Sequence, residues 1–176
     1  MKYKLLLLIF VLFSTTLFAQ RYGVRAGINI SNLDFEPAPV SRNLHRNGFY
    51  FGGFAEFPLS ETVHFNAELQ WSAEGAKDDD WQADYINVPV QLRFSLSDRI
   101  SIGAGPQISI KTWKNQDNFD TFSYGAVGGL EYSFLNDFFI DVRASYRLSN
   151  MFNEDIVPAG LEASQFLIQV GVGIKM

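Results

Sequence analysis

Beyond Arg21 the chain is written in steps of two. In residues 164–176, Phe166, Ile168, Val170, Val172, Ile174 and Met176 fall on one face, and Gln165, Gln169, Gly171, Gly173 and Lys175 on the other, with Leu167 the one interruption. Successive side chains of a β-strand point to opposite sides, so this alternation predicts a strand with one apolar and one polar surface. Residues 85–96 repeat it, setting Ile86, Val88, Val90, Leu92, Phe94 and Leu96 against Tyr85, Asn87, Pro89, Gln91, Arg93 and Ser95. Residues 63–72 oppose Val63, Phe65, Ala67, Leu69 and Trp71 to His64, Asn66, Glu68, Gln70 and Ser72, and residues 138–148 follow the same rule. Weaker runs at 21–31, 48–57, 100–111 and 122–134 bring the expected strands to eight.

The connections alternate in length. Pro58-Leu59-Ser60-Glu61, Ser97-Asp98-Arg99 and Leu135-Asn136-Asp137 are tight turns, whereas 32–47, 73–84, 112–121 and 149–163 are long. Consecutive antiparallel strands then place every long loop at one end. The faces decide what surrounds the strands. One face is almost free of charge, while the opposite faces together hold Arg25, Glu56, Glu68, Arg93, Lys111, Glu131, Asp141, Arg143, Arg147 and Lys175. Six of them are basic and four acidic, an excess of two positives, and pairing is expected to be strongest between adjoining strands, with Glu131, Asp141, Arg143 and Arg25 at its centre. Ten ionisable groups cannot sit unpaired in a dry core. They can sit in the polar lumen of a closed barrel whose apolar face meets lipid, and closure pairs the backbone groups that lipid cannot satisfy. Strand length agrees, since about 9–11 tilted residues span a bilayer. Aromatic residues gather near the predicted strand ends: Tyr22, Phe57, Phe94, Tyr132, Phe134 and Phe138 toward the short turns, Phe49, Trp71, Trp113, Tyr124 and Tyr146 toward the long loops. Two interfacial girdles are the expected arrangement. Most of the strand glycines fall on the charged face, where a narrow eight-stranded barrel leaves little room.

Composition narrows the setting. Residues 1–19, MKYKLLLLIFVLFSTTLFA, carry two lysines, a short apolar core and a small residue before Gln20, the layout of a secretory signal peptide rather than of a spanning helix of about 20 apolar residues. Residues 20–176 are then the barrel domain. Loss of Lys2 and Lys4 takes the 14 basic residues to 12 against 19 acidic ones, a charge of −7. There is no cysteine and no basic block, which removes disulfide scaffolds, thiol chemistry and nucleic acid as a partner. An exported, acidic, cysteine-free chain points to a bacterial envelope.

The blocks Tyr22-Gly23-Val24-Arg25-Ala26-Gly27-Ile28-Asn29-Ile30-Ser31-Asn32, Glu68-Leu69-Gln70-Trp71-Ser72-Ala73-Glu74-Gly75-Ala76, Tyr85-Ile86-Asn87-Val88-Pro89-Val90, Gly103-Ala104-Gly105-Pro106-Gln107 and Asp141-Val142-Arg143-Ala144-Ser145-Tyr146, in their order and spacing, resemble the PorT-like outer-membrane β-barrel family. The resemblance covers residues 20–176 and implies an eight-stranded outer-membrane barrel of an envelope protein, most members having no assigned activity. Barrels of this kind commonly end in Phe, whereas this chain ends Ile174-Lys175-Met176.

Little catalytic chemistry is on offer. Lipid-modifying barrels work with His, Ser and a carboxylate at the rim, and the two histidines are His45, in a long loop near Arg42 and Arg46, and His64, four residues before Glu68. A separation of four in a strand is about 13 Å, too far for a direct dyad. Asp78-Asp79-Asp80, flanked by Glu74 and Asp84, is the densest acidic cluster and the one candidate for a metal site, since oxygen-rich loops can hold calcium, but it lacks the spaced pattern of a calcium loop. The expectation is an all-β, closed, eight-stranded antiparallel up-and-down barrel integral to the bacterial outer membrane. It is non-catalytic, with a plugged polar lumen and no cofactor, and beyond the acidic-loop candidate the sequence identifies no metal site and no small-molecule substrate. Its partners are outer-membrane lipid and envelope proteins reached through the long loops. The alternatives are a small outer-membrane lipid-modifying enzyme and an exported soluble ligand-binding barrel.

Overall fold

Alternation in eight successive segments produces eight successive strands. The computed structural model describes residues 20–36, 45–77, 82–112, 119–151 and 162–176. The strands are β1 (Arg21–Glu36), β2 (Arg46–Pro58), β3 (Val63–Gly75), β4 (Gln82–Ser95), β5 (Ile100–Lys111), β6 (Phe122–Ser133), β7 (Phe138–Arg147) and β8 (Glu162–Lys175). Each pairs antiparallel with its chain neighbours, and β8 returns to β1 to close the barrel. Met176 completes the seam by exchanging backbone hydrogen bonds with Tyr22 at 2.7 and 3.2 Å.

Two of the three short turns share one device. In the β2–β3 turn Leu59 N–H donates to the Val63 carbonyl at 2.8 Å, and in the β4–β5 turn Leu96 N–H donates to Ile100 at 2.9 Å. The Ser60 and Ser97 hydroxyls accept backbone N–H groups two and three residues on, at 3.1–3.4 Å. A serine accepting its own turn's N–H groups fixes a tight reversal without glycine.

Several strands run further toward the long connections than the periodicity indicates. β1 reaches Glu36 rather than residue 31, β3 reaches Gly75 rather than 72, and β4 and β8 begin at Gln82 and Glu162. Ladder pairing continues there, with Glu36 opposite Glu162 and Gly75 opposite Gln82. Beyond the apolar band the two faces of a strand no longer meet different media, so the alternation fades while the hydrogen bonds persist. Residues 1–19, the acidic run Asp78-Asp79-Asp80 and Trp113 lie outside the described residues.

The surface is turned inside out relative to a water-soluble barrel. Val24, Ile28, Phe51, Leu69, Val142 and Val172 stand exposed on the outside, while Arg25, Glu56, Glu68, Arg93, Glu131, Asp141, Arg143 and Arg147 are buried within. A continuous exposed apolar band of this kind belongs against hydrocarbon. Its aromatic rims are in contact: Phe49 and Phe51 pack on Trp71 at 5.1 and 5.5 Å between ring centres at one end, and Phe134 meets Phe138 at 6.2 Å at the other.

Candidate functional site in the barrel lumen

The inward residues of the strands meet in three tiers. Nearest the short turns, Lys175 Nζ lies 2.6 Å from Glu131 and 3.4 Å from Glu56, and Arg93 pairs with Glu131 and lies 3.4 Å from Glu56. In the middle tier Glu68 accepts from Arg143 at 2.6 Å and lies 3.4 Å from Arg25. Arg25 also pairs with Asp141 and donates to the Tyr50 hydroxyl at 2.9 Å, and Arg143 Nε approaches Asp141 at 3.0 Å. In the third tier Arg147 lies 2.6 Å from Glu74, donates to Ser123 at 2.9 Å and sits 3.8 Å over the Tyr85 ring. The Asn87 amide donates to Glu74 at 2.6 Å.

Apart from Arg143 with Asp141, both on β7, the ion pairs of the three tiers join strands that are not neighbours in the sheet. Glu131 on β6 and Asp141 on β7 are direct register partners, two carboxylates side by side, and each turns to cations on other strands. The sequence suggests Glu131, Asp141, Arg143 and Arg25 as one centre. Instead, Arg25, Asp141 and Arg143 gather around Glu68, and Glu131 belongs with Arg93 and Lys175 in the tier below. Glycine makes the crossings possible. Arg25 has Gly52 and Gly173 as its register partners, Arg93 has Gly103, and Arg143 has Gly129. A Cβ at Gly173 would enter the Phe139 ring, and one at Gly23 the Phe54 ring.

Glu74 is the residue that the periodicity missed. Read as part of an acidic loop, it ends β3 fully buried with its side chain on Arg147. With it, and with Lys111 outside them, the three tiers hold five cations, Arg25, Arg93, Arg143, Arg147 and Lys175, and five carboxylates, Glu56, Glu68, Glu74, Glu131 and Asp141, so the six-to-four excess of cations among the sequence-named charges becomes a balance. Lys111 stands apart and donates to the Phe119 carbonyl. Asn66 and Gln70 are buried with no protein partner at either amide atom, positions that ordered water serves in a polar interior.

The two ends differ. Above the third tier, Leu33, Ala76, Ala83, Tyr85, Phe119 and Met151 form a buried apolar cluster across the long-loop end. At the short-turn end the interior opens into a cavity of about 80 Å³ that includes His64. His45 is at the opposite end, in an isolated bridge with Ala76. Glu68, the acid nearest His64 on its own strand face, is engaged by both middle-tier arginines. Among the described residues no group of three or more His, Asp or Glu side chains could hold a metal ion.

The sequence profile of the outer membrane protein beta-barrel domain family matches residues 18–153. Among solved structures the chain is similar to Neisserial surface protein A, with 12% identity over 88% of this chain and 97% of that one at a TM-score of 0.57. It is also similar to Ail, the attachment invasion locus protein of Yersinia pestis, with 13% identity over 89% and 98% at a TM-score of 0.54. At such identities the likeness is one of fold. No functionally curated protein matches the chain.

Proposed function

Since the chain belongs to the outer membrane protein beta-barrel domain family and forms an integral outer-membrane barrel, we propose that it is a plugged, non-catalytic barrel that presents its long connections as interaction surfaces outside the cell. The observation that carries this reading is the pairing of five interior cations with five interior carboxylates, tier by tier. Eight strands leave an interior that side chains fill, and charges that cancel within it leave no single-sign lining to attract a permeating ion. The apolar cluster at the long-loop end adds a second seal. The blocks named above support a place in the PorT-like family, and residues 1–19 support export by a cleaved signal peptide. The short turns then face the periplasm and the long loops the exterior.

Work that remains for such a barrel is done at its ends. Crosslinking on intact cells followed by purification of the folded barrel tests this. Exchange of the long loops for short turns should leave a barrel that still migrates differently before and after boiling and that has lost its crosslinked envelope partners. Partners retained in full after loop exchange would refute the loop assignment.

A further inference from the structure

The cavity at the short-turn mouth has a neutral floor and an unbalanced rim. Its floor is the tier of Arg93, Lys175, Glu56 and Glu131, two charges of each sign held in mutual contact. Its rim carries Arg21 at the start of β1 and Arg99 in the β4–β5 turn, and neither guanidinium has a hydrogen-bonding or ionic partner among the described residues. His64 enters from β3, likewise unpartnered, and among the described residues Asp98 is the only carboxylate lining the cavity besides the two floor glutamates. Hydroxyls complete the wall: Ser95, Ser101 and Ser133 line it from β4, β5 and β6. Ser97 accepts the N–H groups of Arg99 and Ile100, which leaves its own proton free to donate outward.

We propose that this mouth is a binding site for a phosphate group. Two free guanidiniums, an imidazole and at least three hydroxyls converge from different arcs of the barrel, so the donors greatly outnumber the acceptors. A carboxylate has two oxygens in one plane and is satisfied by one arginine fork. Donors arriving from β1, β3 and the β4–β6 arc match an oxyanion whose oxygens point in several directions. The rim charge favours an anion, and the floor glutamates already face Arg93 and Lys175. A single water needs roughly 10–15 Å³, so about 80 Å³ leaves space for a phosphate-sized group. The phosphate has two possible sources, a lipid headgroup or a soluble phosphate, and the compartment it comes from rests on the periplasmic orientation proposed above.

The test is a titration of ¹⁵N-labelled, refolded barrel in maltoside micelles with inorganic phosphate at fixed ionic strength. The amides of Arg21 and of residues 97–101 should shift saturably with one-to-one stoichiometry, and potassium chloride should not reproduce the shifts. The double variant R21Q/R99Q should weaken binding at least tenfold while keeping heat-modifiable migration, and R99Q alone, in an exposed turn, should weaken it several-fold. Repeating the titration in phosphatidylcholine nanodiscs separates the sources. Unchanged affinity identifies a soluble phosphate site, whereas a loss of fivefold or more identifies lipid phosphate as the occupant. Shifts that never saturate, or wild-type affinity in R21Q/R99Q, would overturn the proposal. An inverted membrane orientation would leave micellar binding intact, so the two failures are distinguishable.

Discussion

Replacing Glu68 by glutamine keeps the volume and removes one charge at the centre of the middle tier. Glu68 is the carboxylate shared by Arg143 at 2.6 Å and Arg25 at 3.4 Å, and both the Glu68 and Arg25 side chains have no exposed surface. In E68Q two guanidiniums share Asp141 alone. Breaking a buried pair from one side costs about 3–5 kcal/mol, because the remaining charge has no water to return to. With a urea slope of roughly 2 kcal/mol per molar, the unfolding midpoint should fall by about 1.5–2.5 M. Glu61 sits exposed in the β2–β3 turn, so E61Q should move stability by no more than about 0.5 kcal/mol. Adding R143Q to E68Q restores the balance between Arg25 and Asp141. The two changes should therefore couple favourably by about 1–3 kcal/mol in a double-mutant cycle. Both series are read by urea titration of tryptophan fluorescence in lipid vesicles. Equal midpoints for E68Q and E61Q, or strict additivity of E68Q and R143Q, would refute the reasoning that the tier is a coupled, buried unit.

Three further outcomes follow from the barrel and its proposed orientation. Val90 faces outward near the centre of β4 and Gln91 faces inward, so V90R should cost about 2–4 kcal/mol in a bilayer and Q91S much less; equal losses would mean that the parity is wrong. A cysteine at Asp79 should react with an impermeant maleimide on whole cells and one at Asp98 only after lysis, a clean readout in a chain without native cysteine. The reverse labelling would invert the topology. A methyl at Gly173 meets the Phe139 ring and should destabilise by about 1–3 kcal/mol. At Gly53, where a Cβ would find its nearest neighbour at 3.7 Å, G53A should be close to neutral in the same urea titration.

The strands were legible because lipid and lumen impose opposite demands on alternate residues. Val88 and Val90 could lie only outside and Arg93 only inside, so period two fixed the facing of every charged residue that the band encloses. Legibility failed where that contrast ends. Beyond Trp71 no large apolar side chain continues the pattern, so Glu74 read as loop although β3 carries it to Arg147. Partner choice was hidden for a different reason. Sequence suggests pairs between adjacent strands, but in a narrow lumen the long side chains span the interior. Arg147 on β7 therefore meets Glu74 on β3, and Glu68 on β3 meets Arg143 on β7. The unpaired rim of Arg21, His64 and Arg99 depends on where three separate strand ends meet around a mouth, which no linear spacing records.

The central claim, that cancelling charges fill the lumen, is tested most directly by conductance. If the three tiers and the apolar cluster close the path from mouth to mouth, as proposed, purified barrel reconstituted into planar bilayers should show no steady ionic current at physiological salt. A stable channel of nanosiemens size, carried by the folded barrel, would contradict it.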